Sequence, residues 1–157
     1  MAVLFSARQI AEAAVEKEKR RRAFYASVRD LSTDASMKSL FQFLTEEEDN
    51  HVAAFTQLRD RLPQQDHAVE YDEEMDAYMD SVIDDRLYSR IDSSDFVQKA
   101  IDDKTVFRLA IGFEKDAILY FREFLPFLSD ADRKIVEGLI EDEKGHIRRL
   151  AEVQKRS

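Results

Sequence analysis

The chain has 157 residues, a formal net charge of −9, three glycines, two prolines and no cysteine. A single all-α domain is the simplest reading of that length and of a composition rich in Ala, Leu, Glu and Arg. The absent cysteine excludes disulfides, a zinc ribbon, a rubredoxin-type iron site and a thiol nucleophile in this chain, and the acidic balance speaks against a nucleic-acid partner.

Ser6 and Gln9 form a capping-box pattern that opens a helix running to about Leu31. LSTDAS is a turn, with Thr33 or Asp34 as the cap of a second helix that runs to Leu62 and is stopped by Pro63. From Gln64 to Asp102 the chain turns acidic, and Tyr71, Met75, Tyr78 and Val82 suggest one short helix there. A third long helix covers roughly Asp103 to Leu128. Ser129 and Asp130 make a tight turn, and a fourth helix runs from about Ala131 to the end. The organisation is a hairpin over 5–62, a crossover over 63–102 and a hairpin over 103–157, in one domain of 1–157. MAVLFSARQ lacks the pattern of a signal peptide, and no apolar run approaches the ~20 residues needed to span a bilayer. A soluble, cytoplasmic protein with no membrane partner is expected.

Each helix carries a stripe at three- and four-residue steps, which keeps its members on one face. The second reads Met37, Phe41, Leu44, Glu48, His51, Phe55, Leu58, Leu62; the third Phe107, Ala110, Glu114, Ala117, Phe121, Phe124, Leu128. The fourth reads Val136, Leu139, Glu143, His146, Leu150, Val153. The first is less regular: Ala7, Ala11, Ala14, Glu18, then Arg21 or Arg22, Tyr25 and Val28. Every stripe is interrupted by polar residues near its middle.

The interruptions are related by symmetry. Glu18 and Glu48 are equidistant from Thr33, and Glu114 and Glu143 straddle Leu128 and Ser129. In an antiparallel hairpin such pairs lie level, here about 20 Å from the turn. Each hairpin thus repeats one pattern: Glu, a turn, then Glu-x-x-His. A connection as long as 63–102 is expected where the second and third helices run parallel and one crossover spans the bundle. All six polar residues then gather at one height.

Four carboxylates and two imidazoles in an apolar interior are unstable as they stand, since buried like charges cost several kcal/mol each. Two divalent cations balance them. Oxygen and imidazole donors suit iron or manganese, with zinc as a competitor. Glu18, Glu48 and His51 are assigned to one metal and Glu114, Glu143 and His146 to the other, with Glu48 and Glu143 as bridges. This is the ligand pattern of ferritin-like di-metal carboxylate bundles.

At EKEKRRRAFY, EEEDNH, FEKDAILYF and EDEKGH the chain resembles the rubrerythrin-like branch of the ferritin-like family, over nearly its whole length. The resemblance implies a ferritin-like four-helix bundle with two irons per chain, reacting with hydrogen peroxide or dioxygen, in a homodimer or larger homo-oligomer. It implies that Tyr25 hydrogen-bonds a ligand carboxylate; a core tyrosine with a satisfied hydroxyl is the plainer alternative. Three features depart from rubrerythrins proper. The chain ends with its fourth helix and carries no rubredoxin domain, so electrons must come from a separate donor protein. Ala117 stands where those relatives carry an extra glutamate. Arg21 stands where a small residue is usual, and either points outward or lies near the centre. The function expected is a rubrerythrin-like peroxide-reducing oxidoreductase; the alternatives are a ferroxidase or iron-handling protein and an oxygen-activating hydroxylase. Glu46, Glu47, Glu141, Asp142 and most of KEKRRR are expected to be solvated surface.

Overall fold

In the computed structural model the described residues are 4–62, 68–70, 91 and 93–157, with side chains from residue 7 onward outside 68–70. They form β1 (Leu4–Ser6), α1 (Ala7–Leu31), α2 (Ala35–Arg61), β2 (Ala68–Glu70), α3 (Ser94–Asp102), α4 (Val106–Phe124) and α5 (Asp130–Arg156). The bundle is all-α in architecture: α1 packs along α2, α4 along α5, and the two hairpins face each other through α2–α5 and α1–α4 contacts. β1 and β2 add one short antiparallel pair, Leu4 opposite Glu70 and Ser6 opposite Ala68, which ties the start of the crossover to the N-terminal segment. No helix among the described residues is long and apolar enough to cross a membrane.

The caps explain the helix boundaries. Asp34 has extended backbone and its side chain accepts from Met37 N at 2.9 Å, so it, rather than Thr33, starts α2. At the other end the Leu62 N–H bonds the Arg59 carbonyl, and Arg8 Nη1 donates to both the Arg59 and Leu62 carbonyls at 3.2 Å each. Ser129 caps α5 through Asp132 N, and Asp130 and Asp132 at its start with Lys155 and Arg156 at its end complement the helix dipole. The expected capping box at Ser6 falls on a side chain outside the described set.

The third long helix is shorter than its periodicity suggests. It begins at Val106 rather than Asp103 because α3 closes just before it in a Schellman motif. Thr105 N bonds Ala100 O at 2.9 Å and Lys104 N bonds Ile101 O at 3.1 Å, with Lys104 in the left-handed region at φ 59°. It ends at Phe124 rather than Leu128 because Pro126 has no N–H to extend the ladder, and Leu125–Phe127 tighten into a 3₁₀ turn. Among the described residues of the crossover there is a short helix, α3, capped by Ser93. The one expected around Tyr71 to Val82 lies outside the described residues.

The apolar core has two halves. One gathers Ile10, Ala14, Phe55, Phe121, Phe124 and Val136 with their neighbours; the other gathers Phe24, Phe41, Leu44, Phe107, Phe113 and Leu150 with theirs. Each large side chain buried there stabilises the fold by about 1.5–3 kcal/mol. Along every long helix the boundary between the halves falls at the glutamate or Glu-x-x-His, so the bundle carries a polar layer at mid-height.

Candidate metal centre

Glu18 comes from α1, Glu48 and His51 from α2, Glu114 from α4, and Glu143 and His146 from α5. None of the six is more than 3% exposed. His51 Nδ1 lies 2.7 Å from Glu143 Oε1, 3.7 Å from Glu48 Oε2 and 3.8 Å from Glu18 Oε2. His146 Nδ1 lies 3.5 Å from both Glu114 Oε2 and Glu143 Oε2. The imidazoles stack with centroids 5.6 Å apart and planes 21° from parallel, so both present Nδ1 to the same interior.

The donor atoms fall into two sets. Glu18, Glu48, His51 and Glu143 form one, and Glu48, Glu114, Glu143 and His146 the other, each with ligand atoms within 4.8 Å of one another. Glu48 and Glu143 belong to both sets, the positions expected of bridges. Among the buried side-chain atoms without a hydrogen-bond partner are Glu18 Oε2, both oxygens of Glu48 and of Glu143, Glu114 Oε2, and Nδ1 of His51 and His146. Even the 2.7 Å His51–Glu143 approach lacks hydrogen-bond alignment. Buried polar atoms of this kind cost about 1–3 kcal/mol apiece when left unmade. Eight converging donors, four per position once the bridges are shared, fit a pair of metal ions.

The surroundings leave each outer glutamate one oxygen to give. Arg21 Nη2 holds Glu18 Oε1 at 2.7 Å, and Tyr25 Oη donates to Glu114 Oε1 at 2.6 Å. Tyr25 therefore serves the opposite hairpin from its own. Arg21 is buried, not outward: Nη1 also reaches the Phe113 carbonyl at 3.3 Å and lies 3.9 Å from Glu143 Oε2. Of the two placements left open for Arg21 the structure takes the inward one, because the guanidinium is drawn in by the carboxylates; elsewhere in the KEKRRR run Lys19 is exposed, and half-buried Arg22 pairs with Asp49.

Burial pushes the Glu18 carboxyl well above its usual range, against the pull of Arg21. Burial and the charge of Glu143 raise Glu48 to about 7. Burial opposes a charge on His51, but Glu143 and Glu18 outweigh it and raise the imidazole to about 9. Burial would raise Glu143 too, yet His146, His51 and Arg21 hold it at about 2. Burial and the Glu48 charge keep the Tyr25 phenol protonated. Without metal the cluster therefore traps protons on some carboxylates and charge on others.

Asp142 is a further participant. It is half exposed, as expected of surface, but its Oδ2 lies 3.3 Å from His51 Nε2. A carboxylate behind a ligand imidazole fixes which nitrogen carries the proton and leaves Nδ1 free to coordinate. A sequence signal existed: an acidic residue directly precedes each bridging glutamate, Glu47 before Glu48 and Asp142 before Glu143. Outside His146, whose ring Phe43 meets edge-on at 5.9 Å, Glu47, Glu141, Asp142 and Arg149 line a recess of about 200 Å³.

No family model matches the sequence, and no curated protein matches it. Among solved structures the chain is similar to a proposed ferritin-like diiron-carboxylate protein from Thermotoga maritima. The TM-score is 0.69 at 22% identity, over 97% of this chain and 96% of that one. The fold is ferritin-like. Within a ferritin-like bundle the layer between the two core halves is where facing helices build di-metal sites, and the buried Glu/His sets of this chain occupy that layer.

Proposed function

We propose that the chain is a di-iron carboxylate oxidoreductase of rubrerythrin type, which reduces hydrogen peroxide with electrons from a separate donor protein. The observation that carries the reading is the set of eight buried, unpartnered donor atoms arranged as two four-donor groups sharing Glu48 and Glu143. Glu18, Glu48, Glu143 and His51 would hold one ion, and Glu114, Glu48, Glu143 and His146 the other. Held there as ferrous iron, the pair would supply the two electrons that, with two protons, convert one peroxide to two waters.

The chain's own residues do the rest. Arg21 and Tyr25 occupy the second oxygen of Glu18 and Glu114, so each outer carboxylate has one oxygen to give. The flanking apolar halves keep bulk water from the layer, which strengthens every electrostatic contact inside it. Asp142, 3.3 Å from His51 Nε2, would accept a hydrogen bond from that nitrogen and leave Nδ1 to a bound ion. A homodimer or larger homo-oligomer belongs to the same proposal, as the resemblance implies.

The test is iron content, then anaerobic reduction and stopped-flow mixing with peroxide and with dioxygen. About two irons per chain, oxidised faster by peroxide than free ferrous iron is, supports the reading. Oxidation no faster than that of free iron removes it. A ferroxidase is the second reading, favoured by the acidic recess of Glu47, Glu141 and Asp142 beside His146, which suits the approach of a cation. A preference for dioxygen, with continued turnover of added ferrous iron, would select it.

A further inference from the structure

The two halves of the centre are matched in donor count but not in charge. Glu18 and Glu114 are pseudo-symmetric, and each has its Oε1 taken by a donor from α1 while its Oε2 stays buried and unpartnered. For Glu114 that donor is a neutral phenol. For Glu18 it is a guanidinium, which carries a full charge at any pH a protein survives. The symmetry offers no compensating cation, because the residue three beyond Glu114, matching Arg21 three beyond Glu18, is Ala117, buried among apolar neighbours.

The guanidinium is held in place. It is 2% exposed, and its second nitrogen reaches the Phe113 carbonyl, one residue before Glu114 on the facing hairpin. Its approach to Glu143 Oε2, the oxygen of the shared carboxylate that lies 3.5 Å from His146 Nδ1, is much longer, at 3.9 Å. Its 2.7 Å contact with Glu18 Oε1 falls on one position alone. A cation that binds at Glu18 meets a fixed positive charge within its ligand's own hydrogen-bond shell, and a carboxylate whose charge is already partly answered.

We infer that Arg21 makes the two metal positions unequal, so that they fill in order: the Glu114–His146 position first, the Glu18–His51 position second. The inference rests on the di-metal reading and deepens it. Arg21 is then a positioning residue that sets the sequence of loading and provides for a one-metal form at low metal supply. Loss of one ion from the loaded centre occurs at the Glu18 side.

Metal-free protein titrated with Mn²⁺, with free, isolated and spin-coupled ion distinguished by electron paramagnetic resonance, decides the matter. The wild type is expected to take up about two ions per chain, the second at least about tenfold more weakly than the first. In R21Q the second affinity rises and the two steps merge to within about threefold, whereas R21K keeps them apart. H51N removes the weak step only and H146N the tight one. Equal steps in the wild type, a gap that R21Q leaves unchanged, or H51N removing the tight step would overturn the ordering while two bound ions leave the di-metal reading standing. Should R21Q fail to fold, the wild-type titration and the two histidine variants still decide. A wild type that binds no Mn²⁺ overturns both.

Discussion

Tyr25 and Glu114 lie 89 residues apart on opposite hairpins, and the phenol donates to the carboxylate at 2.6 Å in a fully buried setting. The contact spans the seam between the two halves of the sequence repeat. It links folding of the bundle to the geometry of the proposed metal ligand. In Tyr25→Phe the ring still fills the core, but Glu114 Oε1 loses its donor and can turn inward. Metal affinity is expected to fall about 10–100-fold, the usual effect of losing a partner behind a ligand. Stability should drop by about 1.5–3 kcal/mol. Calorimetric metal titration and urea unfolding measure the two effects; unchanged metal affinity would reduce Tyr25 to a packing residue.

His51 and His146 each offer one nitrogen to the centre. Replacing both with alanine should abolish tight metal binding while the circular dichroism spectrum keeps its helical form, because the apolar halves remain. Stoichiometric binding retained by the double variant would refute the ligand assignment. Asp142→Asn keeps the shape and removes the charge behind His51; a loss toward the tenfold end is expected there, since Asp142 is half exposed.

Stability of the metal-free protein should depend on pH in an unusual direction. Glu48 is raised from 4.5 to about 7 and His51 from 6.5 to about 9, so in both cases the folded state binds the proton more tightly. Their contributions are present below the unfolded values and are lost as pH rises through the folded ones. The windows are 4.5 to about 7 for Glu48 and 6.5 to about 9 for His51. Glu143, held at about 2, acts oppositely: its contribution is present above 4.5 and lost on acidification toward about 2. Metal-free protein is thus expected to be most stable near pH 4.5 and to lose stability toward pH 9, each displaced unit being worth about 1.4 kcal/mol. With metal the trend reverses above pH 5, because cations displace those protons. Thermal melts across pH, with metal and with chelator, should cross. Parallel curves would mean that the cluster does not bind the metal tested.

Lys104 supplies a test of the fold that is independent of the centre. It adopts φ 59° at the end of α3, where glycine is the ordinary occupant. Lys104→Gly should stabilise the protein by up to about 1 kcal/mol, raising the melting temperature by roughly 2–4 °C. A lower melting temperature would mean that the lysine side chain makes a contact worth more than the relief of strain.

The bundle and the gathered residues were legible because two independent regularities agreed: helical stripes with polar interruptions, and interruptions equidistant from turns. Both depend only on helix geometry. What escaped was set by partners rather than by periodicity. Arg21 shares a charged run with exposed Lys19, and between its two open placements the inward one is decided by Glu18 on its own helix with Glu143 and the Phe113 carbonyl across the bundle. Asp142 lies on an outward face by its own helix and is recruited by a histidine on another. The late start of α4 rests on a Schellman motif built without glycine, which removes the usual sign of such a stop. Its early end was signalled by Pro126, which a stripe of apolar residues overrides too easily.

The mid-height position of the polar layer bears on how the molecule comes apart. The two apolar halves are stitched to one another by backbone and by side chains that repel or trap protons when no cation binds them. Metal-free protein is expected to be weakest at this waist, with amide hydrogens nearest the layer exchanging sooner than those deep in either half. Ions bound in the proposed centre would act as a clasp across the waist, drawing the two halves into a single folding transition.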